Sequence, residues 1–203
     1  IDEFKPDLVI TTQTTASAII QFMKQQGMYH GKFVIAFSDY HLHRYWLYDS
    51  ADQYLVNIEE QKQKMVRIGV PAEKIAVCGI TLIPKRVVDT SPVRESLGLS
   101  TDRKIVLVGS GSLGYGGLSD IILAALSQLL EPRNVKLIVL TGKNTEMQEI
   151  LEHRLSGRNA HVKVLGYHSP MDELYAMSSM ILSKPGGLTV AETLQWSVPM
   201  LIT

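Results

Sequence analysis

A chain of 203 residues, 45% of them hydrophobic and 20% charged, has enough apolar material for one large core or two modest ones. Its 20 basic residues balance its 20 acidic ones, so no global field draws it to nucleic acid, and contact with a membrane or polyanion has to come from a local patch. No run approaches the ~20 apolar residues of a membrane-spanning helix, and the lone Cys78, beside the apolar run Ile75-Ala76-Val77, excludes an internal disulfide and reads as a buried, inert thiol in a reducing compartment.

The chain opens on Ile1 with no signal peptide before Pro6-Asp7-Leu8-Val9-Ile10, and it stops inside the apolar run Val198 to Thr203, so a fragment of a longer protein is expected. In between, short β-branched runs alternate with segments of helical period. Leu8-Val9-Ile10, Phe33 to Phe37, Gln53 to Val56 and Lys74 to Val77 read as strands. Ala16 to Gln26 and Glu59 to Ile68 carry apolar residues at intervals of three and four, as helices with one buried face do.

From Gly79 to Arg103 the alternation breaks at Pro84, Lys85-Arg86, Asp89-Thr90-Ser91 and Pro92, and residues 84–103 read as an interdomain linker. It then restarts with strand Lys104 to Val108, helix Ser119 to Leu130, strand Val135 to Thr141, helix Thr145 to Leu155 and strand Val162 to Leu165. Helix Met171 to Ser178, strand Met180 to Ser183, helix Val190 to Trp196 and a final strand complete it. Such alternation predicts an α/β fold with right-handed crossovers and mainly parallel sheets, in two domains, 1–83 and 104–203.

Two glycine turns follow strands of the second domain. In Ser183-Lys184-Pro185-Gly186-Gly187-Leu188-Thr189-Val190-Ala191-Glu192 the glycines allow close backbone approach, and the unpaired first amides and dipole of the following helix favour an anion. Thr189 and Glu192 also have the spacing of a capping box, in which the carboxylate would satisfy the helix's own amides instead. The other turn places Gly109, Gly111 and Gly114 in the G-x-G-x-x-G spacing of dinucleotide folds. The next strand, however, ends Leu140-Thr141-Gly142-Lys143, without the acidic residue that a dinucleotide's ribose requires. Two anion-friendly turns on one sheet edge point to a single phosphate-bearing ligand.

Ile181 to Glu192 with Val198-Pro199 resembles the donor-binding signature of the family-28 glycosyltransferases, most nearly the monogalactosyldiacylglycerol synthases and processive diacylglycerol glucosyltransferases and more distantly the GlcNAc transferase that forms lipid II. Phe37 to Trp46 resembles the TDxxxHxxW segment of the diacylglycerol branch, and Cys78-Gly79-Ile80-Thr81-Leu82-Ile83-Pro84 its entry to the interdomain linker. The resemblance implies a GT-B architecture, with two Rossmann-like domains across a cleft, the N-terminal one truncated and the C-terminal one shortened at its end. It further implies an inverting transfer of a hexosyl group from a UDP-sugar to a lipid acceptor, with no metal or other cofactor, by a cytoplasmic enzyme peripheral to the inner face of the membrane.

Carried over by position, Glu192 would hold the ribose, and Gly186, Gly187, Leu188 and Thr189 would face the diphosphate. Gly109, Ser110, Gly111 and Ser112 would approach that diphosphate from the other turn, and the chain at Tyr167 and His168 would meet the uracil. Asp39 and His43 are candidates for proton transfer, although a base preceding Ile1 and a structural or acceptor-shaping role are alternatives. His41, His43, Arg44, Tyr45, Trp46, Leu47 and Tyr48 mix cationic and interfacial aromatic character, as a membrane-docking loop does, yet the same aromatics suit a core equally. GlcNAc transfer to a polyprenyl-linked sugar and a non-catalytic nucleotide-sugar-binding module remain alternative readings, and an epimerase would need an acid and histidine set that the sequence does not display.

Overall fold

The computed structural model describes residues 3–99, 103–109, 125, 135–156 and 161–203. The chain divides into two compact units, Ile1–Ile83 and Pro84–Thr203. In the first, β1 (Leu8–Thr11), β2 (Lys32–Ala36), β3 (Gln53–Val56) and β4 (Ile75–Val77) lie parallel in that order. Helices Thr14–Gln25 and Glu59–Arg67 make two of the crossovers, each burying one stripe, and a loop with a single 3-10 turn at Arg44–Trp46 makes the third. Phe33, Ile35, Val56 and Met65 are sealed in the core.

The loop that follows β2 is anchored by its own aromatics. Trp46 stacks on Phe37 with ring centroids 4.8 Å apart, and Tyr54 meets Phe37 edge-on at 6.3 Å. Trp46 is buried and Leu47 and Tyr48 pack partly against the core, while Tyr45 is 70% exposed. The core reading therefore holds for three of the four hydrophobic residues, and only Tyr45 projects. Cys78, expected to be buried, is exposed. It lies just past the last paired residue of β4, which among the described residues is an edge strand flanked on one side only, where Val77 is exposed as well.

Gly31 cannot carry a side chain, because a Cβ there would lie 2.6 Å from the Asp7 carbonyl, which accepts the Lys32 N–H at 2.7 Å to start the β1–β2 pairing. Asp52 fixes the same strand start from the other side. Its carboxylate accepts the Phe33 N–H at 2.8 Å and lies 3.4 Å from both Lys24 Nζ and Lys32 Nζ. Burial on its own would raise this carboxyl, but the Phe33 N–H and the two lysines outweigh it and hold the group below the ordinary carboxylate value. A depressed folded value means that the stabilisation is complete above the unfolded value of ~4 and is lost as pH falls through the folded one. Asp52→Asn should therefore cost about 1 kcal/mol at pH 7, a modest figure because the group is a third exposed and screened. In urea titrations the gap to the wild type should close as the pH falls through the depressed folded value of this carboxyl.

The second unit holds β5 (Lys104–Gly109), β6 (Val135–Leu140), β7 (Val162–Leu165), β8 (Met180–Ser183) and β9 (Met200–Ile202), parallel in the order β7-β6-β5-β8-β9. The runs KIVLVG and VKLIVL are almost continuously apolar because both sheet faces are covered. Val106, Val108, Leu137 and Val139 pack on one face with Leu151 and Leu155 at the end of the Thr145–Arg154 helix. Ile105, Leu107 and Ile138 pack on the other with Leu174, Tyr175 and Trp196, from the Asp172–Met177 and Gly187–Trp196 helices. The helix expected over Ser119–Leu130 lies, apart from Ala125, outside the described residues.

The stretch expected to be a linker is built into this unit. Ser91–Ser96 is a helix with Pro92 in its first turn, where a missing N–H costs nothing. Val93 and Leu99 join the core, and Lys85 Nζ sits 4.7 Å from the centre of the Trp196 ring. Of the residues that look like a break, Thr90, Ser91 and Pro92 form a helix start, while 84–89 carry no regular structure.

Candidate functional site

The strand order of the second unit reverses between β5 and β8, which pair directly with Gly109 opposite Ser183 at their carboxyl ends. In open parallel sheets the crevice beyond such a switch point is where ligands bind, since the connections leave it in opposite directions. A cavity of 370 Å³ opens there. Both Gly109 and Ser183 line it, as do Tyr167, His168, Leu188, Thr189 and Glu192. Ser110, Gly111 and Ser112 lie outside the described residues.

The Gly187–Trp196 helix begins three residues earlier than its apolar pattern suggests, because Gly186 takes the N-cap position in an extended conformation and supplies no side-chain cap. Its first helical bond runs from the Val190 N–H to the Gly186 carbonyl at 2.9 Å. The N–H groups of Gly187, Leu188 and Thr189 therefore have no acceptor within the helix, and the dipole adds positive potential beside the cavity. Among the described residues, a Cβ at Gly186 would meet only Thr189 Oγ1 at 3.6 Å, and one at Gly109 only Leu140 Cβ at 3.8 Å. Both are ordinary contacts, so packing among the described residues does not demand glycine at either position. Close approach of a ligand to the backbone is a reason that remains.

The early helix start also removes Glu192 from the capping box. It lies in the second turn, and its Oε2 accepts a 2.7 Å hydrogen bond from the Tyr175 hydroxyl of the neighbouring helix. Tyr175 is 4% exposed and also lines the cavity. Burial, then the hydrogen bond and charge of Glu192, push its phenol far above the ordinary value, so it stays a donor throughout the working pH range. Sequence reasoning missed Tyr175 because it reads as one more core position of an amphipathic helix, which it also is. The available signal was a hydroxyl among otherwise apolar core positions, since a buried phenol needs an acceptor.

At the far end of the cavity, Tyr167 is exposed, with Lys143 Nζ 5.6 Å from its ring centre. His168 Nε2 is sealed from solvent with no partner among the described residues. The cavity thus combines an apolar floor, open amides at one side and a fixed carboxylate, which suits a ligand with a flat base, a polyol ring and an anionic tail.

In the first unit, the loop after β2 carries Asp39 and His43. The Asp39 carbonyl is clamped by Asn57 Nδ2 at 2.7 Å and Gln61 Nε2 at 2.8 Å, while the residue itself is exposed. Gln61 is 1% exposed, and its Oε1 accepts the Asn57 N–H at 2.8 Å, tying this loop to the start of the Glu59–Arg67 helix. His43 packs edge-on to Tyr45, ring centroids 5.8 Å apart, with Nδ1 sealed and without a partner among the described residues. The structure thus fixes the backbone at Asp39 and leaves its residue open to solvent. Among the described residues no group of three or more His, Cys, Asp or Glu could hold a metal ion, and no helix is long and apolar enough to cross a membrane.

Comparison with known proteins matches each unit separately. Residues 1–82 match the monogalactosyldiacylglycerol (MGDG) synthase family, and residues 105–203 match the glycosyltransferase family 28 C-terminal domain. The processive diacylglycerol beta-glucosyltransferase of Bacillus subtilis is 27% identical over 204 residues, spanning 100% of this chain and 52% of that protein. The chain thus spans about half the length of the curated relatives it matches.

Among solved structures, Anabaena HepE in complex with UDP and glucose superposes with a TM-score of 0.64 at 18% identity, covering 97% of this chain and 59% of that one. The Staphylococcus aureus MnaA–UDP structure superposes with a TM-score of 0.72 at 16% identity, covering 100% of this chain and 59% of that one. These likenesses establish the fold as that of the GT-B proteins, two Rossmann-like units each built on a parallel sheet. One unit thus matches the MGDG synthase family and the other the glycosyltransferase family 28 C-terminal domain, and along its whole length the chain is similar to the processive diacylglycerol glucosyltransferases.

Proposed function

We propose that the protein takes part in an inverting transfer of a hexosyl group from a UDP-sugar to diacylglycerol, with the cavity at the β5–β8 switch point as the donor site. The observation that carries this reading is the pairing of open helix amides with a separately fixed carboxylate around one cavity. The amides of Gly187, Leu188 and Thr189, reached through the Gly186 turn, face the diphosphate, and Gly109 with Ser110, Gly111 and Ser112 approaches it from the other strand. Glu192 accepts from the ribose hydroxyls, and backbone groups at Tyr167 and His168 meet the uracil. In the reaction the acceptor hydroxyl attacks the anomeric carbon from the face opposite UDP, the bond from that carbon to the diphosphate oxygen breaks, and a base takes the hydroxyl proton. Asp39 and His43 are the candidates for that base in this chain.

Oriented amides and a helix dipole stabilise the departing diphosphate without a metal, because they are aimed where charge develops. The lipid acceptor places the enzyme at a membrane surface, peripherally, at the cytoplasmic face. The test is calorimetry with UDP, followed by product analysis with UDP-glucose or UDP-galactose and diacylglycerol-containing vesicles. UDP should bind with an affinity unchanged by EDTA, and transfer should yield a glycosyl-diacylglycerol of inverted anomeric configuration. Affinity that collapses on chelation would refute the metal-free donor site, and turnover of a polyprenyl-linked sugar in place of diacylglycerol would refute the acceptor.

A further inference from the structure

Within the donor site proposed above, we infer that Tyr175 is a positioning residue that sets Glu192 for the ribose and keeps it off the helix amides. The inference rests on the reading of Glu192 as the ribose-binding group.

Glutamate has one of the larger side-chain entropies, and a carboxylate left free on the second turn of this helix has two attractive places to go. One is the cavity. The other is back toward the first turn, where the open amides attract any anion. A carboxylate resting there would cover the N–H groups that the diphosphate needs and withdraw the acceptor that the ribose needs. The two ends of the ligand would then lose together.

The phenol resolves this competition. Tyr175 stands on a different helix, Asp172–Met177, and its ring is locked among Leu174, Trp196 and the sheet residues Ile105 and Leu107. It donates to Glu192 Oε2 at 2.7 Å. Among the described residues only one carboxylate oxygen is engaged. Oε1 keeps both lone pairs for a ribose hydroxyl, and Oε2 keeps one. A rigid aromatic donor suits this task better than a lysine or arginine would, because it fixes direction without neutralising the carboxylate. The raised phenol value keeps the proton on Tyr175 rather than letting the contact turn into repulsion between two anions.

The test compares UDP with 2′,3′-dideoxyuridine diphosphate by calorimetry on the wild-type protein, Tyr175→Phe and Glu192→Asp. The wild type should prefer UDP by at least tenfold. Tyr175→Phe should lose most of that preference while binding the dideoxy compound within about twofold of wild type or better. A merely structural role would weaken both ligands alike and leave their ratio unmoved. Glu192→Asp, one methylene too short to reach the phenol, is an independent arm and should lose the preference as well.

Wild-type selectivity retained in Tyr175→Phe, or full selectivity in Glu192→Asp, would overturn the role of Tyr175 while leaving Glu192 as the ribose group. A wild-type protein that binds the two ligands equally would overturn the reading of Glu192 itself, and this inference with it.

Discussion

Replacing Glu192 with alanine should weaken UDP binding by about 100-fold, on the order of 3 kcal/mol, the largest loss expected from any single side chain of the cavity. The size follows from what the carboxylate does. It is an ionised acceptor in a partly enclosed site, and hydrogen bonds to charged groups are worth roughly twice neutral ones. No other carboxylate lines the cavity among the described residues. The substitution also has a second, separable consequence. Tyr175 is buried and would keep its hydroxyl without its present acceptor, which costs stability by about 1–3 kcal/mol. Melting must therefore be measured beside binding.

Glu192→Gln separates the two effects, since its amide carbonyl still accepts from Tyr175. It should melt close to wild type yet bind UDP about tenfold more weakly, having lost the charge but not the shape. Calorimetry with UDP is the measurement in both cases. Undiminished UDP affinity in Glu192→Ala would refute the assignment of the cavity as a ribose-binding site, whatever happens to the melting temperature.

Strand identity in this chain was legible because parallel strands covered on both faces leave continuous apolar runs, as β5 and β6 do. The region of the cavity was legible for a related reason: glycine turns at carboxyl ends of strands are conspicuous, and Gly109 and Ser183 do lie side by side. What the sequence hid was everything decided by a partner distant along the chain. The capping spacing of Thr189 and Glu192 is genuine, but an N-cap at Gly186 moves the helix start, and Tyr175, 17 positions away, takes the carboxylate. Local patterns cannot weigh that competition. Cys78 was misjudged through the same blindness, because an apolar run says nothing about whether its strand has one neighbour or two. Within the segment from Pro84 to Arg103, whose prolines, basic pair and polar run read as a linker, the part from Ser91 to Ser96 is a helix. At the first turn of a helix Pro92 is compatible with structure, and the burial of Val93 and Leu99 outweighs the polar residues around them.

The second large effect is expected at Trp46. Trp46→Ala should destabilise the first unit by about 3–5 kcal/mol, the range for removing a large buried aromatic and leaving a cavity. Trp46 is 3% exposed and stacks on Phe37, which in turn meets Tyr54, so one deletion undoes a three-ring cluster over β2 and β3. Its position gives the loss a functional edge. Trp46 pins the only part of the crossover between β2 and β3 with regular structure, and that crossover carries Asp39 and His43.

Even under conditions where the variant stays folded, a slack loop should lower glycosyl transfer while leaving UDP affinity within about twofold of wild type, because the described residues lining the proposed donor cavity all belong to the other unit. Trp46→Phe discriminates between ring packing and the indole N–H. That N–H has no partner among the described residues, so phenylalanine gives up no hydrogen bond and only part of the buried area. It should cost less than ~2 kcal/mol and keep most of the activity. Chemical denaturation followed by far-UV circular dichroism, because the remaining tryptophan, Trp196, belongs to the other unit, is paired with UDP calorimetry and a transfer assay to read all three quantities. A Phe variant as damaged as the Ala variant would mean that the indole nitrogen has a ligand, and a Trp46→Ala protein with wild-type transfer would remove this loop from the reaction.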